Sequence, residues 1–246
     1  MVLTIANPTQ RNALAPEIYA AGIEALNGAE SSDEVRSVVL VGQGAWFCAG
    51  GSLQRLADNR QRDPSVQAQS IESLHNWIDS IRAFPKPIIA AVEGAAAGAG
   101  FSLALACDFI VAARDAVFAS SYSNVALSPV AGLSWELAQA LPRQLASEWL
   151  MCGERIAAPR LHALGLINEL SENGQALAGA LALAARLDAH APNALASIKE
   201  LLTEAQGASF NSQLSQERDH FVRNLHHPNA GIGIAAFLEK KPPQYG

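Results

Sequence analysis

Long apolar runs, clustered basic residues and cysteines are all scarce in this sequence, and each scarcity removes a class of protein. Half of the 246 residues are apolar, yet no unbroken apolar run approaches the roughly 20 residues that a membrane helix needs. The richest stretch, Pro87 to Ala113, is interrupted by Glu93, by Gly94, Gly98 and Gly100, and by Asp108. It reads as strand, turn and helix inside a folded core. No run of Lys or Arg exceeds two residues, and the formal net charge is −6. A nucleic-acid partner, which needs a basic stripe, is therefore excluded, and a polyanionic ligand would have to rely on local donors. Three cysteines, Cys48, Cys107 and Cys152, are too few and too scattered for a disulfide framework or a zinc site. Set among apolar neighbours, they read as buried free thiols in a reducing, cytoplasmic setting. The start, MVLTIANPTQRN, lacks the basic, apolar and small-residue regions of a secretory signal.

What is present is an alternation of strand and helix. Val2 to Ala6 and Ser37 to Val41 read as strands, and Ile88 to Val92, Phe109 to Ala112 and Leu166 to Leu170 follow. Helices are expected over Pro16 to Leu26, Ser70 to Ala83, Phe101 to Cys107, Leu133 to Leu141, Ala146 to Met151 and Gln175 to Ala189. Gln54 to Asp63 is polar and reads as a mobile connection. This alternation indicates an α/β layered domain over 1–190. From 191 to 246 only helical stripes occur, such as Leu195, Ile198 and Leu202, or Phe210, Leu214, Phe221 and Leu225. That region is expected to be helical and to pack partly on neighbouring subunits.

Two segments share one design, a strand, a glycine-rich turn and then a helix: Gly50-Gly51 and Gly94 to Gly100. Such turns aim backbone N–H groups at a ligand, and the helix dipole favours negative charge there. Glycines that serve only tight turning and close packing give the same pattern. A dinucleotide fingerprint is incomplete, because its third glycine position is Leu103. A nucleophile elbow fails at Ala104, and no histidine stands in a recognisable triad context.

Taken together, the segments resemble the crotonase, or enoyl-CoA hydratase/isomerase, family. The resemblance runs through Asn7-Pro8, Asn12-Ala13-Leu14, Val35 to Gly42, Phe47 to Gly51, Lys86 to Gly94, Ala96 to Gly100 and Ala106 to Asp108. It continues in Leu141 to Arg143, Gly165 to Asn168 and Phe237 to Pro242. The wording Leu127-Ser128-Pro129 and Gly132 to Trp135 is most similar to the oxepin-CoA and phenylacetate-pathway branch. The resemblance implies a spiral of ββα units with a helical C-terminal region, assembled as trimers or as hexamers made of two trimers. It implies an acyl-CoA substrate from fatty-acid or aromatic-acid catabolism, with coenzyme A as part of the substrate and no metal or redox cofactor. The N–H groups of Gly51 and Ala99 are implied to form the oxyanion hole. Ala13, Leu14, Ala49, Ser52, Leu53, Ala97, Gly98, Ser102, Pro129 and Val130 are implied to line the substrate site, and Lys240 and Lys241 to meet coenzyme A phosphates.

The family's proton-moving carboxylates are missing. Its two hydratase glutamates correspond to Ser102 and Tyr122, its isomerase acid to Val130, and the aspartate that often follows Gly-Gly to Ser52. Tyr122, with an unperturbed pKa near 10, suits donating a proton better than taking one at neutral pH. A tyrosine that only packs in the acyl pocket fits the same position. Either a substitute such as Tyr122 or Glu136 acts, or the oxyanion hole acts alone on an activated substrate, or the chain is a degenerate member that binds acyl-CoA, or supports an assembly, without catalysis.

Overall fold

In the computed structural model, which describes residues 1–245, the chain climbs through successive coils. β1 (Val2–Ile5) leads to Leu14, which bridges Gly51, and then to helix α1 (Pro16–Glu30). β2 (Val38–Gly42) leads to Cys48, which bridges Ala96, and then to α2 (Leu53–Asn59) and α3 (Pro64–Ala83). β3 (Ile88–Val92) is followed by β4 (Ala95–Ala97) and α4 (Ala99–Ala106). β5 (Phe109–Ala113) is followed by β6 (Val117–Ala119), α5 (Leu133–Ala140) and α6 (Arg143–Cys152). β7 (Arg155–Ala157), α7 (Ala158–Ala163), β8 (Glu169–Ser171) and α8 (Ala176–Asp188) complete the α/β part.

The first strand of each coil joins one parallel sheet, in the order β1-β2-β3-β5-β8. The second joins a smaller layer, where β4 pairs parallel with β6 and β6 antiparallel with β7. β2 and β3 are buried along their whole length, which is why VVLVG and IIAAV read as continuous apolar runs rather than alternating ones. Burying each such Val or Ile contributes about 1.5–3 kcal/mol. One sheet face packs on α8, through Val39, Val41, Ile89 and Val111 against Ala180 and Leu183. The mixed α/β class expected from the sequence holds.

Several elements differ from the sequence reading, each for a local reason. Gln54 to Asp63 is largely helical: Ser52 caps α2 by accepting from the Arg55 N–H at 3.4 Å. α3 starts six residues earlier than its apolar stripe, because Asp63 caps it and Pro64 opens it. The three-residue strands β4, β6 and β7 are too short to show a period. β8 forms at Glu169–Ser171 rather than Leu166 to Leu170, because Gly165 and Leu166 still close the turn after α7 by donating to His162 O and Leu161 O. Cys48 and Cys107 are buried, but Cys152 is exposed at the end of α6 beside Met151, so the expectation of three buried thiols fails there.

After Pro192 the structure contains helices only: α9 (Pro192–Ala205), α10 (Phe210–Leu225) and α11 (Pro228–Leu238). Their apolar residues face outward, with Phe210 77%, Phe221 68% and Phe237 83% exposed. α9 is tied to the core where Lys199 Nζ meets Asp108 Oδ2 at 2.8 Å. The same Asp108 oxygen accepts the Ile88 N–H, a structural role. No helix among the described residues is long and apolar enough to cross a membrane.

Candidate active site

The successive coils bring their second strands, and the turns that follow them, to one place. Gly51 lies just ahead of α2, Ala99 is the first residue of α4, and Tyr122 follows β6. The two glycine turns interlock through the backbone. Leu14 N–H donates to Gly50 O at 2.7 Å, Ala97 N–H to Cys48 O at 2.9 Å, and Gly98 N–H to Ala119 O at 2.8 Å. The approach leaves no room for side chains. A methyl group on Gly50 would lie 2.5 Å from Ala97 O and 3.1 Å from Ala99 N, and one on Gly100 would collide with the Cys48 carbonyl.

Beside this lattice of used donors, the N–H groups of Gly51 and Ala99 donate to no protein acceptor among the described residues, as is also true of Leu53 and Gly100 at the starts of α2 and α4. Ala99 is free because a helix cannot satisfy its own first N–H groups, and α4 adds the positive end of its dipole. Asn12 holds the surrounding loop: fully buried, it donates to Gln43 O at 3.0 Å and Trp46 O at 2.6 Å and accepts the Asn7 N–H. Cys48 lies beneath the turn, its Sγ accepting the Gly50 N–H at 3.4 Å. Burial pushes this thiol up to about 12, so it stays neutral.

The side chains at the three positions where the family's acid–base carboxylates are expected carry no charge. Ser102 is fully buried, and its hydroxyl donates to Val130 O at 3.0 Å. It pins the Pro129–Val130 turn against α4. Tyr122 brings its hydroxyl within 3.7 Å of where a Gly98 side chain would begin. That hydroxyl is buried and makes no hydrogen bond of good geometry. Burial pushes the phenol up to about 12, opposed by the neighbouring Ser102 hydroxyl and Val130 backbone. The group is a neutral donor at any physiological pH. Val130 packs on the core as an aliphatic side chain. Glu136 pairs with Arg82 instead of turning inward, and its pKa is raised by burial.

Of the remaining sequence candidates, Leu14 and Ala13 are buried at the Gly51 turn, and Ala49 is tied to it by its N–H bond to Arg11 O at 3.0 Å. Ser52 caps α2, and Leu53 is 62% exposed at the start of that helix. Leu53, Leu56, Ala57, Ile71, Val125 and Leu127 line a cleft of about 600 Å³ between α2, α3 and the loop after Tyr122. Lys240 and Lys241 lie beyond α11, which packs on α10. Lys241 pairs with Glu239 at 3.0 Å, and among the described residues no hydrogen bond or ion pair joins either lysine to the glycine turns. Arg55 is not singled out by the sequence, in which Gln54 to Asp63 reads as a polar connection. The Ser52 cap and the Leu53/Leu56 spacing are the signals that point to a helix there. No cluster of three or more metal-ligating side chains occurs among the described residues.

This fold has counterparts among known proteins. The enoyl-CoA hydratase/isomerase family model matches residues 1–246, and the chain belongs to that family. It is 32% identical to the 1,2-epoxyphenylacetyl-CoA isomerase of Escherichia coli (strain K12), over 100% of this chain and 94% of that protein. With the 2,3-dehydroadipyl-CoA hydratase of the same organism it shares 31% identity over 100% and 94%. A crystal structure of an enoyl-CoA hydratase from Polaromonas sp. JS666 superposes with a TM-score of 0.98 at 68% identity, covering 100% of this chain and 95% of that one.

Proposed function

We propose that this acyl-CoA enzyme holds the thioester carbonyl between the N–H groups of Gly51 and Ala99 and stabilises the enolate-like charge that develops there. The observation that carries the reading is the pair of unused backbone donors at two interlocked turns. In such a site each donor contributes most when negative charge grows on the oxygen, because the surroundings are dry and already oriented. The unpartnered Tyr122 hydroxyl beside Gly98 supplies a third, neutral donor. Coenzyme A arrives as part of the substrate, and the reading requires no metal or redox cofactor. The acyl groups in the relatives' names differ, one epoxyphenylacetyl and one dehydroadipyl, so similarity leaves the acyl chain open within fatty-acid or aromatic-acid catabolism.

A second reading, acyl-CoA binding without proton transfer, is favoured by one observation: the acid–base positions are Ser102, Tyr122 and Val130. The Ser102 hydroxyl is already committed to Val130 O, and the raised phenol cannot act as a base near neutral pH. Under either reading residues 1–190 form the acyl-CoA-binding body. Residues 191–246 assemble it into a trimer or a pair of trimers, which gives the outward Phe210, Phe221 and Phe237 a partner surface.

Calorimetric titration with acyl-CoA thioesters, beside turnover of an enoyl-CoA panel, tests both. Binding with turnover supports the enzyme reading, and binding without turnover selects the second. If no CoA thioester binds at millimolar concentration, the proposed function is wrong.

A further inference from the structure

The side chain of Arg55 is a strongly charged group beside the Gly51 turn that the proposed chemistry leaves unused. Its guanidinium points into the junction of α1, α2 and α3, where Nη2 reaches the Tyr19 hydroxyl at 3.4 Å and Ser70 Oγ at 3.5 Å. Nε and Nη1 are buried and have no acceptor. No carboxylate pairs with Arg55 among the described residues, whereas Arg82 and Arg186 each have one. A guanidinium cannot shed its proton to escape burial, and a buried cation without an anion is costly. The two contacts it does make are long and go to neutral hydroxyls.

The location ties this charge to the thioester site. α1 begins just after Leu14 and α2 just after Gly51, the two residues that bridge one another. Tyr19 and Arg55 both fall in the first turns of those helices, and Arg55 is the third residue of α2, four residues after Gly51. Tyr19 is itself buried. Its phenol is raised by burial, lowered by Arg55 and influenced by the Cys48 thiol under the oxyanion turn.

We infer that Arg55 receives a carboxylate carried at the far end of the acyl group, so that the substrates are short dicarboxylic acyl-CoA thioesters. A carboxylate supplies two planar acceptors that match the guanidinium fork and the negative charge that the junction lacks. The inference rests on the acyl-CoA reading of the Gly51 and Ala99 turns and extends it from the thioester end of the ligand to its other end.

Matched pairs of ligands separate the two claims. Succinyl-, glutaryl- and adipyl-CoA are titrated against butyryl-, valeryl- and hexanoyl-CoA, with free coenzyme A alongside, on the wild type, Arg55→Met and Arg55→Lys. At least one diacid is expected to bind the wild type roughly 10–100-fold tighter than its monoacid partner, as a charged hydrogen-bonded contact implies. That ratio should collapse towards one in Arg55→Met and recover in part in Arg55→Lys. Equal affinities in the wild type would overturn the inference while leaving the thioester reading intact. So would a preference that survives in a folded Arg55→Met protein, or a loss in that variant as large for free coenzyme A as for the diacids. If the methionine variant does not fold, the wild-type ratio and the lysine variant still decide. Failure of every thioester to bind would instead remove the proposed function, and this inference with it.

Discussion

The candidate site has two halves built on different principles. The half at Gly51 and Ala99 is made of main chain: interlocked turns, Gly50 and Gly100 with no room for a methyl group, and N–H groups fixed by the fold. The half at Ser102, Tyr122 and Val130 is made of side chains, and none of them carries charge. Backbone donors persist through almost any substitution that preserves the turn, whereas side-chain acid–base groups can be exchanged one residue at a time. This chain offers unused main-chain donors in the first half and only uncharged side chains in the second.

Four changes would break or sharpen that contrast. The largest effect is expected for Gly100→Val, which forces a side chain into the Cys48 carbonyl. The turns must separate or the protein unfold, with about 3 kcal/mol or more of lost stability, measurable by denaturant unfolding together with loss of acyl-CoA binding. Next is Val130→Asp, which puts a carboxylate into the empty acid–base half. Isomerisation of a 3-enoyl-CoA should rise by about 10²–10⁴-fold, and an unchanged rate would show that more than one carboxylate is missing. Ala99→Pro deletes one main-chain donor at a helix position where proline is tolerated. It should lower turnover by about 10²–10³-fold with little change in melting temperature. A proportionate loss of both would mean that Ala99 N–H serves only the fold.

The smallest effect is expected for Tyr122→Phe at neutral pH, where a buried hydroxyl without a good partner contributes little to stability. Its signature lies in alkali. The folded protein holds the phenolic proton to about 12, against 10.0 for the free group, so the unfolded chain releases that proton first. Stability from this residue is therefore complete below pH 10 and falls by about 2–3 kcal/mol as pH rises to 12. Comparing wild-type and Tyr122→Phe unfolding across that window isolates it, and parallel curves would show that the phenol is more solvated than its burial implies.

Much of the main-chain half was legible in the sequence because its causes are local. Gly50-Gly51 and Gly98-Ala99-Gly100 sit between apolar strands and helices, and that pattern marks tight turns; which N–H groups would face a ligand came from the family resemblance, not from the pattern. The α8 and α10 stripes were legible for a similar reason, since a helical period extends over many residues. What escaped depended on distance in sequence. β4, β6 and β7 exist because the layer built from Cys48 and Ala96 needs partners, not because three residues favour extension. The Ser102 hydroxyl bond to Val130 O spans 28 residues, and the unpaired state of Arg55 appears only when α1, α2 and α3 are assembled. The isomerase-like wording around Pro129 marks a turn, but nothing in that wording reveals that Ser102 holds it.

α4 is buried over most of its eight residues and contains no charged side chain. Mobile ions reach fields that emerge through water within about 10 Å at 0.1 M salt, and buried fields far less. The attraction between this helix and a carbonyl oxygen at Ala99 should thus be nearly indifferent to ionic strength. Any salt dependence of acyl-CoA binding would then report the phosphate end of the ligand, and a plot of affinity against salt concentration would divide the molecule's grip between its interior and its surface.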